Sequence, residues 1–444
     1  MVFLTSFGCL GAVALAGNAR AEVVARGAAN GVLAVSPKGV PSVAFVRGTE
    51  VLVSTRVAPG RWWTLRAGRV SAGSTVKAFD VGKSGPAIAV GSSDIRTLVV
   101  FRARGTRWQR IPIAHTPPQI GLGWPGLAFD RDGLPVVAYT RWNSTNLNTQ
   151  LLLVRIKPRG ALLTQRVTAE GFPQSEVPPP AAPVVVGGKV HVVETYGFRT
   201  VVGAFEWYPN GKTWTGIGLD VTRGEVPLGP LFAGRRAGRV YATWTQTMEA
   251  IEGAVPVTLA QRAQTAKATF LLDRALTTAL ALSASGAEVA ANQWVSANEL
   301  GLDGNANIWD ATIISGRRSV SLDGWIGGLA VTPRGGRDLL LERDGNLEWF
   351  HSPERLATRV NVGVSSGSSR VSLSGYIEGA RSGKVTIYRE HPGGHRQVAG
   401  TAEVSNGSFS FVDPTSTRPL LYRVVYRDPK TAIPYAALTR PVLY

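Results

Sequence analysis

Four groups of residues in this chain have types and spacings that could do chemistry. Gly363-Val364-Ser365-Ser366-Gly367 matches a G-x-S-x-G pattern. That pattern activates a serine only on a strand-to-helix turn with His and Asp nearby in space. Here it lies in a Gly/Ser-rich stretch with no helical pattern after it, so no nucleophile is expected. His391 and His395 are four apart, a zinc spacing on a helix, but Pro392-Gly393-Gly394 between them forbids a helix. Asp130-Arg131-Asp132-Gly133 resembles part of a calcium loop, yet it is also an ordinary hairpin turn without the further oxygen ligands calcium needs. Glu249, Glu252, Glu299 and Asp303 are the only clustered carboxylates available for paired acid–base work on a sugar. No cofactor and no metal site is expected.

A fifth group binds rather than reacts. Trp142, Asn143, Tyr196, Arg199, Trp244, Glu249, Asn292, Trp294 and Asp303 fall in or beside the longer loops of the chain's middle third. Aromatic plates interleaved with amides and carboxylates suit sugar rings, whose CH faces stack and whose hydroxyls need paired donors and acceptors. These nine are the candidate ligand-binding residues.

The elements that position them come from a repeat. A short apolar run, a turn and a second apolar run recur seven times. The second run opens at Pro41, Pro86, Pro135, Val190, Arg239, Glu288 and Arg337, and four of the six intervals are 49 residues. That is the size of one four-stranded propeller blade. The third residue beyond each opener is Ala44, Ala89, Ala138, Val193, Ala242, Ala291 or Leu340, a nearly all-small column that would let neighbouring sheets approach. Alanine-rich 257–291 could pass for a helix, but it keeps the register and is read as strands.

On this basis the chain is expected to be all-β, a seven-bladed β-propeller over 22–361. Gly363 to Ser369 reads as a flexible linker, within 362–369. Short alternating strands separated by turn clusters over 370–444 then predict an Ig-like β-sandwich. The loops between second and third strands share one face of a propeller, and those of the third to sixth repeats would raise a rim there.

The turn and tryptophan at Asn210-Gly211-Lys212-Thr213-Trp214, with the Leu127 to Tyr139 hairpin, resemble the Asp-box repeats of bacterial sialidases and related propellers. The resemblance implies the fold, not an activity. The Asp-box aspartate is replaced by Pro209. Arg110-Ile111-Pro112 resembles the R-I-P element of that family but falls within the second repeat. Sialidases bring three arginines onto a substrate carboxylate, and none is read in the inner strands here, the fifth of which is taken as Leu231 to Ala233. The phrases from Val371 to Glu390, Ser405 to Pro414 and Leu421 to Asp428 resemble the Ig-like modules appended to exported bacterial proteins.

Composition frames the rest. With 444 residues, 44% hydrophobic and 18% charged, the chain is globular. Val2 to Gly17 are apolar or small and Ala19-Arg20-Ala21 is an A-x-A site, so 1–21 reads as a secretory signal peptide, although no Lys or Arg precedes the apolar stretch. The only cysteine, Cys9, lies inside it, which excludes thiol and disulfide chemistry from the rest. No later stretch reaches the ~20 apolar residues of a membrane span. The net charge of +18 comes mostly from arginines dispersed along the chain, without the basic block that a nucleic-acid partner would want.

The sequence therefore points to a secreted or cell-surface, non-catalytic protein. Its expected partner is a glycan, a cell-wall polymer or an extracellular protein, bound through the loops of the third to sixth repeats. A glycoside hydrolase or polysaccharide lyase on the same face, and a purely structural surface protein, remain as alternatives.

Overall fold

The computed structural model describes residues 21–105, 107–168, 175–198, 201–223, 227–246, 257–261, 269–272, 275–296, 307–316, 318–367, 370–390, 396–414 and 421–439. Among these every regular element is a β-strand. The described parts of 257–291 are strands too: Val257–Gln261, Thr269–Leu272, Ala275–Ser283 and the start of Gly286–Ser296. Alanine in two-residue alternation with larger apolar residues suits the pleat of a strand packed on both faces.

The strands build an all-β, propeller-like arrangement. Among the described residues, 22–352 form seven antiparallel sheets: five are four-stranded, the third is five-stranded, and the four strands of the sixth continue into the C-terminal strands as one eleven-stranded sheet. The first strands are Val32–Val35, Thr75–Gly82, Gly126–Phe129, Ala181–Val186, Pro227–Arg236, Ala275–Ser283 and Trp325–Val331. Each neighbours the first strand of the next sheet, and the seventh also neighbours the first.

The small-residue column sits where these sheets meet. Ala44, Ala89, Ala138, Val193, Ala242, Ala291 and Leu340 are all fully buried. Successive residues face opposite neighbours, as the two-residue period of a strand requires. Val137 packs with Ala89 and Val100 of the second sheet. Ala138 packs with Ala181 and Val192 of the fourth.

The turns between first and second strands repeat one design in the first, third and seventh sheets. Ser36, Asp130 and Thr332 accept from Gly39, Gly133 and Gly335 at 2.8, 3.0 and 2.9 Å. Those glycines have φ of +80°, +73° and +86°, a conformation that disfavours any Cβ.

Two features depart from the sequence reading. The fourth strand of the seventh sheet is Glu22–Arg26, paired antiparallel with Asn346–Ser352. Its Glu22 carboxylate accepts hydrogen bonds from Arg56 (2.7 and 2.8 Å), the Gly60 amide (2.9 Å) and the Trp62 indole (3.0 Å), all in the first sheet. Second, the expected linker is largely a strand. Val360–Gly367 pairs along its length with Arg370–Ile377. Val360, Val362 and Val364 alternate and pack on the core, which outweighs the Gly/Ser content that had read as flexible. Gly363 to Gly367 thus lies in a ladder and not on a nucleophile-bearing turn. Ser368 and Ser369 lie outside the described residues.

The C-terminal strands form one continuous ladder, in the order Pro434–Leu438, Leu421–Arg427, Ser382–Glu390, Arg396–Ser405, Ser408–Asp413, Arg370–Ile377 and Val360–Gly367, with the single pair Ser405–Ser408 joining its two parts. They share apolar residues such as Leu373, Ile387, Phe409 and Val424. Tyr435 pairs with Leu322, joining this module to the sixth sheet.

Ion pairs reinforce that junction. Asp323, almost fully buried, faces Arg396 at 2.6 Å, Arg343 at 3.3 Å and Arg423 at 4.0 Å. Arg423 also contacts Asp310 at 2.9 Å and Glu390. Burial raises the Asp310 pKa, and Arg423 opposes that shift.

Candidate functional site

Trp142 and Asn143 end the second strand of the third sheet, Pro135–Asn143. That strand outruns its first-strand partner, and the free edge pairs with Ile120–Leu122, placing Gly121 opposite Trp142. The Trp142 indole donates to the Ser175 carbonyl at 2.6 Å. The Gly197 amide donates to Ser175 Oγ at 3.3 Å, and the Glu176 amide to the Gly197 carbonyl at 2.9 Å. Ser175 therefore links Trp142 to the strand that carries Tyr196.

Tyr196 is half-buried. It stacks on Phe205 with centroids 5.4 Å apart and planes 17° from parallel. Its ring covers Gly203, where a Cβ would come within 2.4 Å of it. Burial and the nearby Glu194 carboxyl both raise the Tyr196 phenol pKa. Asn143 Oδ1 accepts from the Thr145 amide at 2.9 Å, shaping the turn beyond the strand.

The other sequence candidates are placed differently. Trp244 is fully buried in the core of the fourth and fifth sheets, its indole donating to Gln246 at 2.8 Å. Asn292 is also buried; its amide accepts from the Ile326 amide at 2.8 Å and donates to the Ile326 carbonyl at 3.1 Å. It bridges the sixth and seventh sheets as a peptide group would. Both had been assigned to loops. Their strands run on, through Gln246 and Ser296, and bury them between sheets. Trp294 lies in the strand Gly286–Ser296, with its side chain outside the described residues. Arg199, Glu249 and Asp303, with Glu252 and Glu299, lie outside the described residues, as do His391 and His395.

The described buried carboxylates mostly have basic partners. Glu288 meets Arg337 and Arg355, Asp413 meets Arg389, and Asp338 meets His351. Asp130 Oδ1 accepts from the Asp132 and Leu134 amides at 2.9 and 2.8 Å, and its Oδ2 lies 2.8 Å from Arg155 Nε. That is the hairpin-turn role expected for it. Arg110 is exposed on an outer strand.

Two carboxylates were not singled out by the sequence and lack a basic partner among the described residues. Glu194 is fully buried and accepts from the Trp207 indole at 2.7 Å; burial pushes its pKa up to about 8. Asp80 accepts from the Val81 amide at 2.8 Å, and burial pushes its pKa up to about 6. Asp80 lies near the end of the first strand of the second sheet, Thr75–Gly82, and borders a cavity of about 450 Å³. The first-to-second-strand turns of the first, second, third and seventh sheets line this cavity. It therefore opens at the end of the sheets opposite Trp142, which lies where a second strand finishes.

No protein-family model matches the chain, and no curated protein matches it. Among solved structures it is similar to the WD40 domain of SCAP from fission yeast, at 14% identity over 75% of this chain and 98% of that one, with a TM-score of 0.40. It is also similar to an alpha-L-arabinofuranosidase from Lactobacillus brevis, at 13% identity over 51% and 89%, with a TM-score of 0.30. A third is an exo-beta-1,3-galactanase from Phanerochaete chrysosporium, at 10% identity over 95% and 99%, with a TM-score of 0.33.

Proposed function

We propose that the chain is an exported, non-catalytic binding protein: a seven-bladed β-propeller followed by an Ig-like sandwich, engaging a glycan through the rim around Trp142 and Tyr196. Two observations support the propeller reading: the circular order in which the first strands neighbour one another, and the complete burial of the small-residue column. Seven short antiparallel strands that share one apolar core, without cysteines, support the Ig-like reading. Export rests on the apolar N-terminus and its A-x-A site.

The observation that carries the binding reading is the fixing of two partly exposed aromatic rings by one short segment. Ser175 holds Trp142 by its carbonyl and the Tyr196 strand by its hydroxyl. Rings ordered beforehand lose little freedom on binding, so their stacking energy goes into affinity. A sugar ring stacked on one and hydrogen-bonded by Asn143 is the interaction this favours.

A glycan array probed with residues 22–444, beside a screen of extracellular proteins, tests it. Trp142→Ala and Tyr196→Ala are each expected to weaken glycan binding about tenfold or more, as truncating a central aromatic anchor does. Binding indifferent to both variants would sink the reading. Polysaccharide cleavage that is lost in Glu249→Gln would replace it with the hydrolase or lyase reading.

A further inference from the structure

The cavity at the opposite end of the sheets does not enter that reading. Its walls are built and not incidental. Phe129 packs flat on Gly82, where a Cβ would lie 2.4 Å from the ring. Ser84 Oγ donates to the Gly133 carbonyl at 2.6 Å, tying the turns of the second and third sheets together. Pro333 of the seventh sheet packs on Gly39 of the first. A cavity held this way by four sheets exists before any ligand arrives.

Its charges are unevenly committed. Asp130 is engaged by two amides and Arg155. Asp80 has one amide donor, from its own neighbour, and no cationic partner among the described residues. A half-buried carboxylate without a counter-charge carries a desolvation cost, and a cation supplied from outside would relieve it. Its raised pKa is the same cost seen in the proton equilibrium. Lys83 and Arg131 also border the cavity, exposed, with no acidic partner among the described residues. Between the two kinds of charge the wall is apolar: Val35, Val81, Phe129, Val331.

We infer that this cavity binds a small zwitterion of the amino-acid or short-peptide class, its ammonium on Asp80, its carboxylate toward Lys83 and Arg131, and an apolar side chain against Phe129. The volume of about 450 Å³ lies within the range of small-ligand sites and suits one or two residues.

Calorimetric titration of residues 22–444 at pH 7.5 with leucyl-leucine, leucine amide and N-acetyl-leucine tests the assignment. Leucyl-leucine is expected to bind most tightly. Asp80→Asn should weaken it about tenfold, the worth of one charge-assisted hydrogen bond, and Lys83→Ala with Arg131→Ala by a similar factor. Leucine amide should respond only to Asp80→Asn, and N-acetyl-leucine only to the cation variants. Each variant is melted beside the parent, so that lost binding at an unchanged Tm is read as lost contact. No heat from any of the three at roughly 10 mM, well past the weakest affinity of a specific site, overturns the inference. So does leucyl-leucine binding that ignores Asp80→Asn, or leucine amide binding as tightly as the dipeptide. None of these results bears on Trp142 and Tyr196, which lie at the other end of the sheets.

Discussion

Glu194 shows what a single buried carboxyl does to this protein. One oxygen accepts from Trp207; the other has no hydrogen-bond partner among the described residues. Its pKa is 4.5 in the unfolded chain and about 8 in the folded one. The folded state therefore holds the proton more tightly. The stability that proton contributes is fully present below pH 4.5 and is lost as pH rises toward 8. Gln at this position still accepts from Trp207 and cannot ionise. Glu194→Gln should raise stability at pH 7.5 by about 4 kcal/mol and leave it nearly unchanged at pH 4.5, as read by urea unfolding at both values. An equal effect at the two pH values would mean the carboxyl is not held neutral. Neither Glu194 nor Asp80 was legible as a special residue in the sequence, because a carboxyl's partners come from distant strands. The same limit applies to Trp244 and Asn292. Their residue types suit a binding rim, but their strands run on to Gln246 and Ser296 and bury them.

At the scale of the strand and sheet the sequence was far more legible. The period near 49 and the small-residue column repeat seven times, so noise at one position is averaged over the others. The column gives a packing test. Ala138 is fully buried against Ala181 and Val192 of the next sheet. Ala138→Leu should overpack that interface and cost about 1–3 kcal/mol, seen as a lower urea midpoint with an unchanged slope. A midpoint equal to the parent's would show the sheets are not closely apposed there. Two strands escaped the sequence reading for opposite reasons. Val360–Gly367 was hidden by Gly and Ser, whose low strand preference is overridden by the ladder with Arg370–Ile377. Glu22–Arg26 is a short stretch without clean alternation, and nothing local says that its partner lies at the far end of the repeat array.

For the whole molecule, the junction between the seven sheets and the C-terminal module holds a network of buried charges. Asp323 is the shared carboxylate of Arg343, Arg396 and Arg423. Asp323→Ala would leave three guanidinium groups facing one another with less compensation, a loss of about 3–5 kcal/mol for a broken buried pair. It should split thermal unfolding into two transitions, the C-terminal module melting first. One unshifted transition in a calorimetric scan would show that the backbone pairing at Tyr435 holds the modules alone. The strand at Glu22–Arg26 has a different reach. Asn30, just after it, donates to Glu342 across a separation of 312 residues. A ribosome emitting this chain must make almost the whole array before the two ends of the seventh sheet can meet. Until then Glu22–Arg26 has no partner, and an unpaired strand of that kind can join any passing sheet edge. The clasp thus makes completion of synthesis a condition for hiding the last exposed ladder.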